Sequence, residues 1–359
     1  MTRSDAVQGE VDPAFASVRD VFAGTLAGAP TGSAFAVDID GRLVVDLWGG
    51  AARADGSLAW RRDSIAQPYS VSKPFAAVCL LLLVADGSVD LDAPVNRYWT
   101  EFRAEATVRQ ILNHSSGIVA LDRAIPYDDW DEICAQLAAA TPLWAPGTAY
   151  GEAALIYGHL VGEIVRRVSG RTIGHMLRER VCGPLNLDFA FGLTAGEQER
   201  AVELTFLDER YPAAWSDGKP ELYEAAMASP PGARDLSVVN GSRWRRAEIP
   251  AVNGHGTARA IAGFFAALRD GRVLAADVLA EAIRLGPLVV DRVFGGETSW
   301  GLGFALDGEG FGMGGTGGAV GWTLREGYAF GFVTGALGDH ARADSVEQEL
   351  RRCLGLPPM

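Results

Sequence analysis

Cysteine is scarce in this sequence. Cys79, Cys134, Cys182 and Cys353 are far apart and form no C-x-x-C pair, a spacing that suggests neither a zinc site nor a dense disulfide framework. Long apolar runs are missing too: the longest, residues 75–85, is too short to span a bilayer. The N-terminal stretch carries Asp5, Glu10 and Asp12 without an apolar core, so it reads as no secretory signal, and a cytoplasmic location is expected. Basic residues are outnumbered, 32 Lys plus Arg against 45 Asp plus Glu, for a formal net charge of -13. That balance argues against an electrostatic grip on nucleic acid or on an anionic membrane. His159, His175 and His340 do not cluster with acidic or cysteine residues at metal-ligand spacing, so no metal and no cofactor is expected. The G-x-S-x-G of a nucleophile elbow is absent, as is any internal repeat.

What is present is a chain of 359 residues, 48% hydrophobic and 21% charged, ordinary for a soluble globular protein with a sizeable core. Asp12 as N-cap and Pro13 at the first helical position open an amphipathic helix to about Leu26. Residues 33–39 and 42–48 read as strands joined by Asp40-Gly41, a hairpin signal. Ser70 opens an apolar segment to residue 85, stopped by Gly87, that reads as a buried helix; Pro74 falls in its first turn, where a missing N–H is tolerated. Residues 107–112, 128–140, 152–168 and 258–268 are further helices. In the third, Ala153, Ile156, Tyr157, Leu160, Ile164 and Val168 have helical spacing. Residues 211–249 read as a long irregular excursion and a site wall. Residues 300–306 and 328–337 read as strands, and 344–354 as a closing helix. Strands at both ends with helices between predict an α/β fold: one sheet assembled from distant segments with a helical region inserted.

Ser70-Val71-Ser72-Lys73 is an S-x-x-K motif at the mouth of that predicted buried helix. Positions three apart share a helix face, so Lys73 can approach the Ser70 hydroxyl. A serine hydroxyl needs a nearby base to act as a nucleophile, and a helix N-terminus offers a free N–H to a developing oxyanion. A cap plus a surface lysine explains the same four residues, but a lysine one turn into a buried helix needs a reason.

The segments 44–50 (VVDLWGG), Tyr69 to Lys73, Leu112 to Gly117, Pro146-Gly147-Thr148, 158–170 and Gly301 to Phe304 together resemble the serine β-lactamase and penicillin-binding-protein family, in particular its class C-related esterases and acyltransferases. The resemblance spans about residues 12–354. It implies a β-lactamase/DD-peptidase-like antiparallel sheet flanked by helices, in a single domain. An α/β region of about 12–105 and 255–359 would carry a mainly helical region of about 106–254. It also implies a covalent acyl-enzyme on Ser70 and no metal. Two family positions are altered. Where the family has a tyrosine after Pro-Gly-Thr, an ungapped alignment puts Glu152, with Tyr150 as a fallback phenol two residues earlier. The third motif, usually Lys-Thr-Gly or His-x-Gly on an edge strand, falls on Met313-Gly314-Gly315. By resemblance the Thr316 N–H would be the second oxyanion donor beside that of Ser70, while Met313 removes the polar side chain that would meet a substrate carboxylate.

Glu152 reads either as a solvated helix-start glutamate or as a carboxylate beside Ser70 and Lys73 that keeps the lysine charged and takes the serine proton itself. His114 reads as a packed residue and His255 as a loop residue that could border the site. Trp215, Trp244 and Trp300 would line an apolar pocket or fill the core. Three functions follow: a hydrolase of a small ester or amide through acyl-Ser70; an acyltransferase to an alcohol or amine, if residues 211–244 exclude water; or a non-catalytic binding protein of the same fold. A small-molecule acyl substrate is expected, and β-lactam hydrolysis is not.

Overall fold

The structure, a computed structural model, describes residues 7–211, 216–325 and 327–359. Its centre is a nine-stranded sheet built from β1 (Gln8–Val11), β2 (Ser33–Ile39), β3 (Arg42–Gly49), β4 (Val289–Val290), β5 (Glu297–Trp300), β6 (Ala305–Leu306), β7 (Gly310–Gly315), β8 (Ala319–Leu324) and β9 (Tyr328–Thr334), in the order β1-β3-β2-β9-β8-β7-β6-β5-β4. Every pairing is antiparallel. The two chain ends meet where β2 pairs with β9 over seven residues, Ser33 opposite Thr334 through Ile39 opposite Tyr328.

Alternation along those two strands builds the layers, because successive side chains in a strand face opposite ways. Phe35, Val37, Phe330 and Phe332 point to one face and pack with Val18, Phe22, Val346 and Leu350 of α1 (Ala16–Leu26) and α7 (Ala341–Cys353). Ala36, Ala329 and Val333 point to the other and join the larger core. There α6 (Ala258–Arg269) lies close across the sheet over Gly321 and Gly331, register partners on β8 and β9. A Cβ on Gly331 would stand 2.5 Å from the Ala258 carbonyl, and one on Gly321 would stand 2.6 Å from Ile261 Cγ2.

Beneath α6 runs α2 (Ser72–Ala85), whose residues 72–83 are buried all round. Phe75 is stacked between Phe189 and Phe264, at 3.7 and 3.8 Å between ring centroids. The helical region contributes α3 (Val108–Leu112), α4 (Trp130–Ala139) and α5 (Tyr157–Ser169), the last in contact with α2. Among the described residues no helix is long and apolar enough to cross a membrane, and all four cysteines are unpaired.

Several predicted elements are corrected. The helix expected from residue 152 starts at Tyr157, and Glu152 to Ile156 form a tied loop. Residues 300–306 are two strands turned at residues 301–304, with Trp300 opposite Ala305. The excursion 211–249 is not wholly irregular: it holds helices Leu222–Ala228, Leu236–Val239 and Ser242–Arg246. β7 is not an outer edge strand, since β8 flanks one side and β6 the other. Yet β6 pairs only with Phe311 and Gly312, so Met313 to Gly315 run on past it.

Candidate active site

Ser70 sits in a tight 3-10 turn, Tyr69–Val71, that leads directly into α2. Its predecessor Tyr69 has φ 46°, in the left-handed region, a conformation that costs a bulky residue about 1–3 kcal/mol and persists only when packing enforces it. Here the ring is buried and its hydroxyl donates to the Ala233 carbonyl at 3.1 Å. The other flank is held by Ser72 Oγ, which accepts the Gly254 N–H at 3.1 Å.

One turn along, Lys73 is fully buried. Its Nζ stands 2.8 Å from Ser70 Oγ, 2.8 Å from Glu152 Oε1, 3.0 Å from the Ala154 carbonyl and 3.4 Å from the Ala251 carbonyl. Four acceptors around one nitrogen suit an ammonium, which has three donors and no acceptor. Ser70 Oγ is in turn 3.4 Å from Glu152 Oε1. Hydroxyl, amine and carboxylate therefore close a triangle at the cleft floor, and Glu152 is buried rather than a solvated helix-start residue.

Glu152 is aimed by its backbone. The Glu152 N–H donates to Asp291 Oδ2 at 2.9 Å, the Gly151 N–H to the His114 carbonyl at 3.0 Å, and the Ala153 N–H to His114 Nδ1 at 3.3 Å. His114 lies between the rings of Tyr157 and Trp300. Burial, with the Lys73 charge behind it, pushes its imidazole pKa well below the ordinary histidine value, so it is a neutral brace. Asp291 Oδ1 also accepts the N–H groups of Val293 and Phe294 at 2.8 and 2.9 Å.

The triangle opens into a cleft of about 810 Å³. One wall is the end of β7, with Gly314, Gly315 and Thr316; another is Leu207, Asp208, Arg210, Tyr211, Lys219 and Tyr223 with Phe294; a third is Gly338, Asp339 and His340. Strand β7 comes so near the nucleophile turn that a Cβ on Gly315 would stand 2.1 Å from the Pro68 carbonyl.

A sequence profile described as Beta-lactamase matches residues 18–350. This chain belongs to the beta-lactamase family. Within that family it is 32% identical over 372 residues to a protein named "Esterase/beta-lactamase LipL" from Mycobacterium tuberculosis, covering 92% of this chain and 83% of the relative. A solved family VIII carboxylesterase is 34% identical with a TM-score of 0.88, covering 97% of this chain and all of that one. A penicillin-binding-protein homologue from Caulobacter crescentus gives 32% and 0.86 over the same shares.

The beta-lactamase-family motifs do not all converge. Ser70, Glu152, Gly314, Gly315 and Thr316 line the cleft, with Lys73 beneath it. Met313 does not line the cleft: it is buried, because alternation along β7 turns it away from its neighbours Gly314 and Gly312. Tyr150 lines a separate hollow with Asn113 and Trp300, since the tied backbone at residues 151 and 152 points successive side chains apart. His255 lies outside the lining, its Nδ1 2.8 Å from the Asn253 carbonyl. Trp244 is core, donating to Gln67 Oε1 at 2.9 Å. Trp300 donates to Asp291 Oδ2 at 3.3 Å, and Trp215 lies outside the described residues.

Two contributors were not legible in the sequence. Asp291 had only the turn signal of the glycines that follow it. His340, the N-cap residue of α7, comes from the far end of the chain to stand over Gly314. Its Nε2 is buried, without a hydrogen-bond partner among the described residues, and 3.1 Å from where a Gly314 Cβ would be. An imidazole thus stands beside Gly314, the middle position of the third-motif segment, which carries no side chain of its own.

Proposed function

We propose that this beta-lactamase-family chain is a serine esterase that cleaves small carboxylic esters through acyl-Ser70, with Glu152 in place of the tyrosine at the family's proton-transfer position. The observation that carries the reading is the triangle of Ser70 Oγ, Lys73 Nζ and Glu152 Oε1, at 2.8, 2.8 and 3.4 Å. Esterase stands beside beta-lactamase in the name of the relative at 32% identity, and carboxylesterase in that of the solved structure at 34%, which supports ester cleavage.

Lys73, surrounded by acceptors, acts as the cation that stabilises charge developing on Oγ, and Glu152 is the base. Ser70 Oγ attacks the ester carbonyl while its proton passes to Glu152. The carbonyl oxygen takes up negative charge between the N–H groups of Ser70 and Thr316. The intermediate collapses as the ester C–O bond breaks and the alkoxide leaves with the proton from Glu152. Water then loses a proton to Glu152, adds to the acyl carbon and releases the acid, and the proton returns to Oγ. General-base catalysis of this kind is worth about 10²–10⁴-fold.

Water serves as the acceptor in this reading, since Asp208, Arg210, Lys219 and Asp339 on the cleft walls are solvent-exposed and the cleft admits it. Retention of the Ser-Lys-Glu contact speaks against a purely binding role. Incubation with a fluorophosphonate or an aryl ester should leave a mass adduct on Ser70, absent from Ser70→Ala. Glu152→Gln should lower kcat/KM by at least about 10²-fold; unchanged acylation and turnover in that variant would rule the carboxylate out as base.

A further inference from the structure

We infer that the wall of the cleft formed by Lys219, Tyr223 and Phe294 is a subsite for a carboxylate carried by the ester substrate. The inference rests on ester cleavage at Ser70 and says which esters are preferred. It starts from composition. Only two of the 32 basic residues are lysines, Lys73 and Lys219, and both are at this cleft.

Two of the other carboxylates at the cleft are paired with cations within the protein, and a third bonds its own backbone. Glu152 is matched by Lys73 at 2.8 Å, and Asp208 by Arg210 at 2.5 Å. Asp339 Oδ1 accepts the Ala341 N–H at 3.2 Å. Lys219 has no carboxylate at ion-pair distance among the described residues, although Asp217 and Glu221 flank it in a chain of net charge -13. Its ammonium instead stands 5.9 Å from the ring centroid of Tyr223 and 5.8 Å from that of Phe294. Those rings meet edge to face at 80°, with centroids 5.4 Å apart. Ring quadrupoles attract a cation without cancelling its charge.

An exposed lysine is by default a solvated one. This one is held over an aromatic shelf, faces the reacting centre's own cleft and keeps its positive charge uncompensated. The shelf offers apolar contact to the carbon chain of a substrate, and the ammonium offers three rotatable donors to a carboxylate whose approach angle is not fixed. The substrate class that fits is a monoester of a dicarboxylic acid or an ester of a carboxylate-bearing alcohol.

The test compares 4-nitrophenyl hydrogen glutarate with 4-nitrophenyl butyrate, and 4-acetoxybenzoate with phenyl acetate, so that the carboxylate sits on the acyl side in one pair and on the alcohol side in the other. In at least one pair the charged-to-neutral ratio of kcat/KM should fall about three- to tenfold in Lys219→Gln, the range of a partly exposed charge contact. The wild-type ratio should also fall between about 0.01 M and about 1 M salt, as the Debye length shrinks from about 30 Å to about 3 Å. Ratios insensitive to Lys219→Gln in both pairs overturn the subsite and leave the esterase intact. Calorimetric binding of the two charged esters to Ser70→Ala, with and without Lys219→Gln, reads the subsite independently of turnover. A Lys219-dependent affinity supports it even if the wild-type protein cleaves nothing, an outcome that would end the esterase reading alone, and equal affinities overturn it.

Discussion

Lys73 and Glu152 form a buried ion pair, an arrangement that stability alone does not explain. Taking both charges out of water offsets much of their attraction, whereas removing one partner costs about 3–5 kcal/mol. In the proposed mechanism this pair acts on the third group in contact, the Ser70 hydroxyl. The same scale decides Gly315. With the Pro68 carbonyl 2.1 Å from the position of a Cβ, an added methyl meets backbone on a turn that Tyr69 already holds at φ 46°, and no side chain can rotate away to relieve it. Gly315→Ala should therefore destabilise the fold by about 1–3 kcal/mol in urea unfolding and slow fluorophosphonate labelling of Ser70. Wild-type stability together with wild-type labelling would show that strand and turn are not in register contact.

At the scale of elements, the Glu152 loop is a clip between two distant segments. His114 holds Gly151 and Ala153, and Asp291 holds Glu152 while also bonding the N–H groups of Val293 and Phe294 and the Trp300 indole. Asp291→Asn keeps the shape but replaces one acceptor oxygen with a donor facing N–H groups. It should lower kcat by about 10–100-fold with a smaller change in KM, because a displacement of about 1 Å at a reacting group is worth about 10²-fold. A loss confined to thermal stability, with kcat intact, would make Asp291 merely structural. This clip also explains the misplaced start of α5. Ala153 and Ile156 are buried in the loop as they would be in a helix, so apolar spacing alone runs on through a segment whose backbone is bonded elsewhere.

For the whole molecule, burial of histidine sets the response to acid. His159 and His255 are pushed down to about 3 by burial, and His114 lies well below its ordinary value for the same reason. An unfolded imidazole binds its proton near pH 6.5. At His159 and His255, between about pH 6.5 and 3, the unfolded chain therefore holds protons that the folded chain refuses, and stability falls as pH falls, by about 1.4 kcal/mol per pH unit for each; His114 acts in the same direction. Glu347, pushed up to about 7 chiefly by burial, works the other way. It is protonated in the folded state below that pH and gains stability on acidification toward about 4.5, so it offsets one histidine of the three. His159 packs at a tilt against Trp130, with ring centroids 4.7 Å apart, and has neither ring nitrogen hydrogen-bonded among the described residues. His159→Phe should flatten the slope of unfolding free energy against pH between about 6 and 4 by roughly 1.4 kcal/mol per unit, measured by urea titration. An unchanged slope would mean that this imidazole is protonated in the fold.

Local chemistry was enough for the S-x-x-K turn, the buried helix after it and the β2–β3 hairpin, because periodicity, turn residues and a lysine among apolar neighbours are written within a few positions of one another; the antiparallel architecture came from the family resemblance. The candidacy of Glu152 was also legible, as a carboxylate at a family tyrosine's position. What the sequence could not decide was convergence: that Glu152 rather than Tyr150 faces Ser70, that Met313 turns away, that His340 and Lys219 come to the same cleft, and that Asp291 holds the Glu152 loop behind it. Lys219, Asp291 and His340 lie 149, 221 and 270 positions from Ser70, and Met313 sits one residue from a neighbour pointing the other way. Only the closing of the sheet around β2 and β9, and the hydrogen bonds that tie the loops to it, determine which side chains share one pocket.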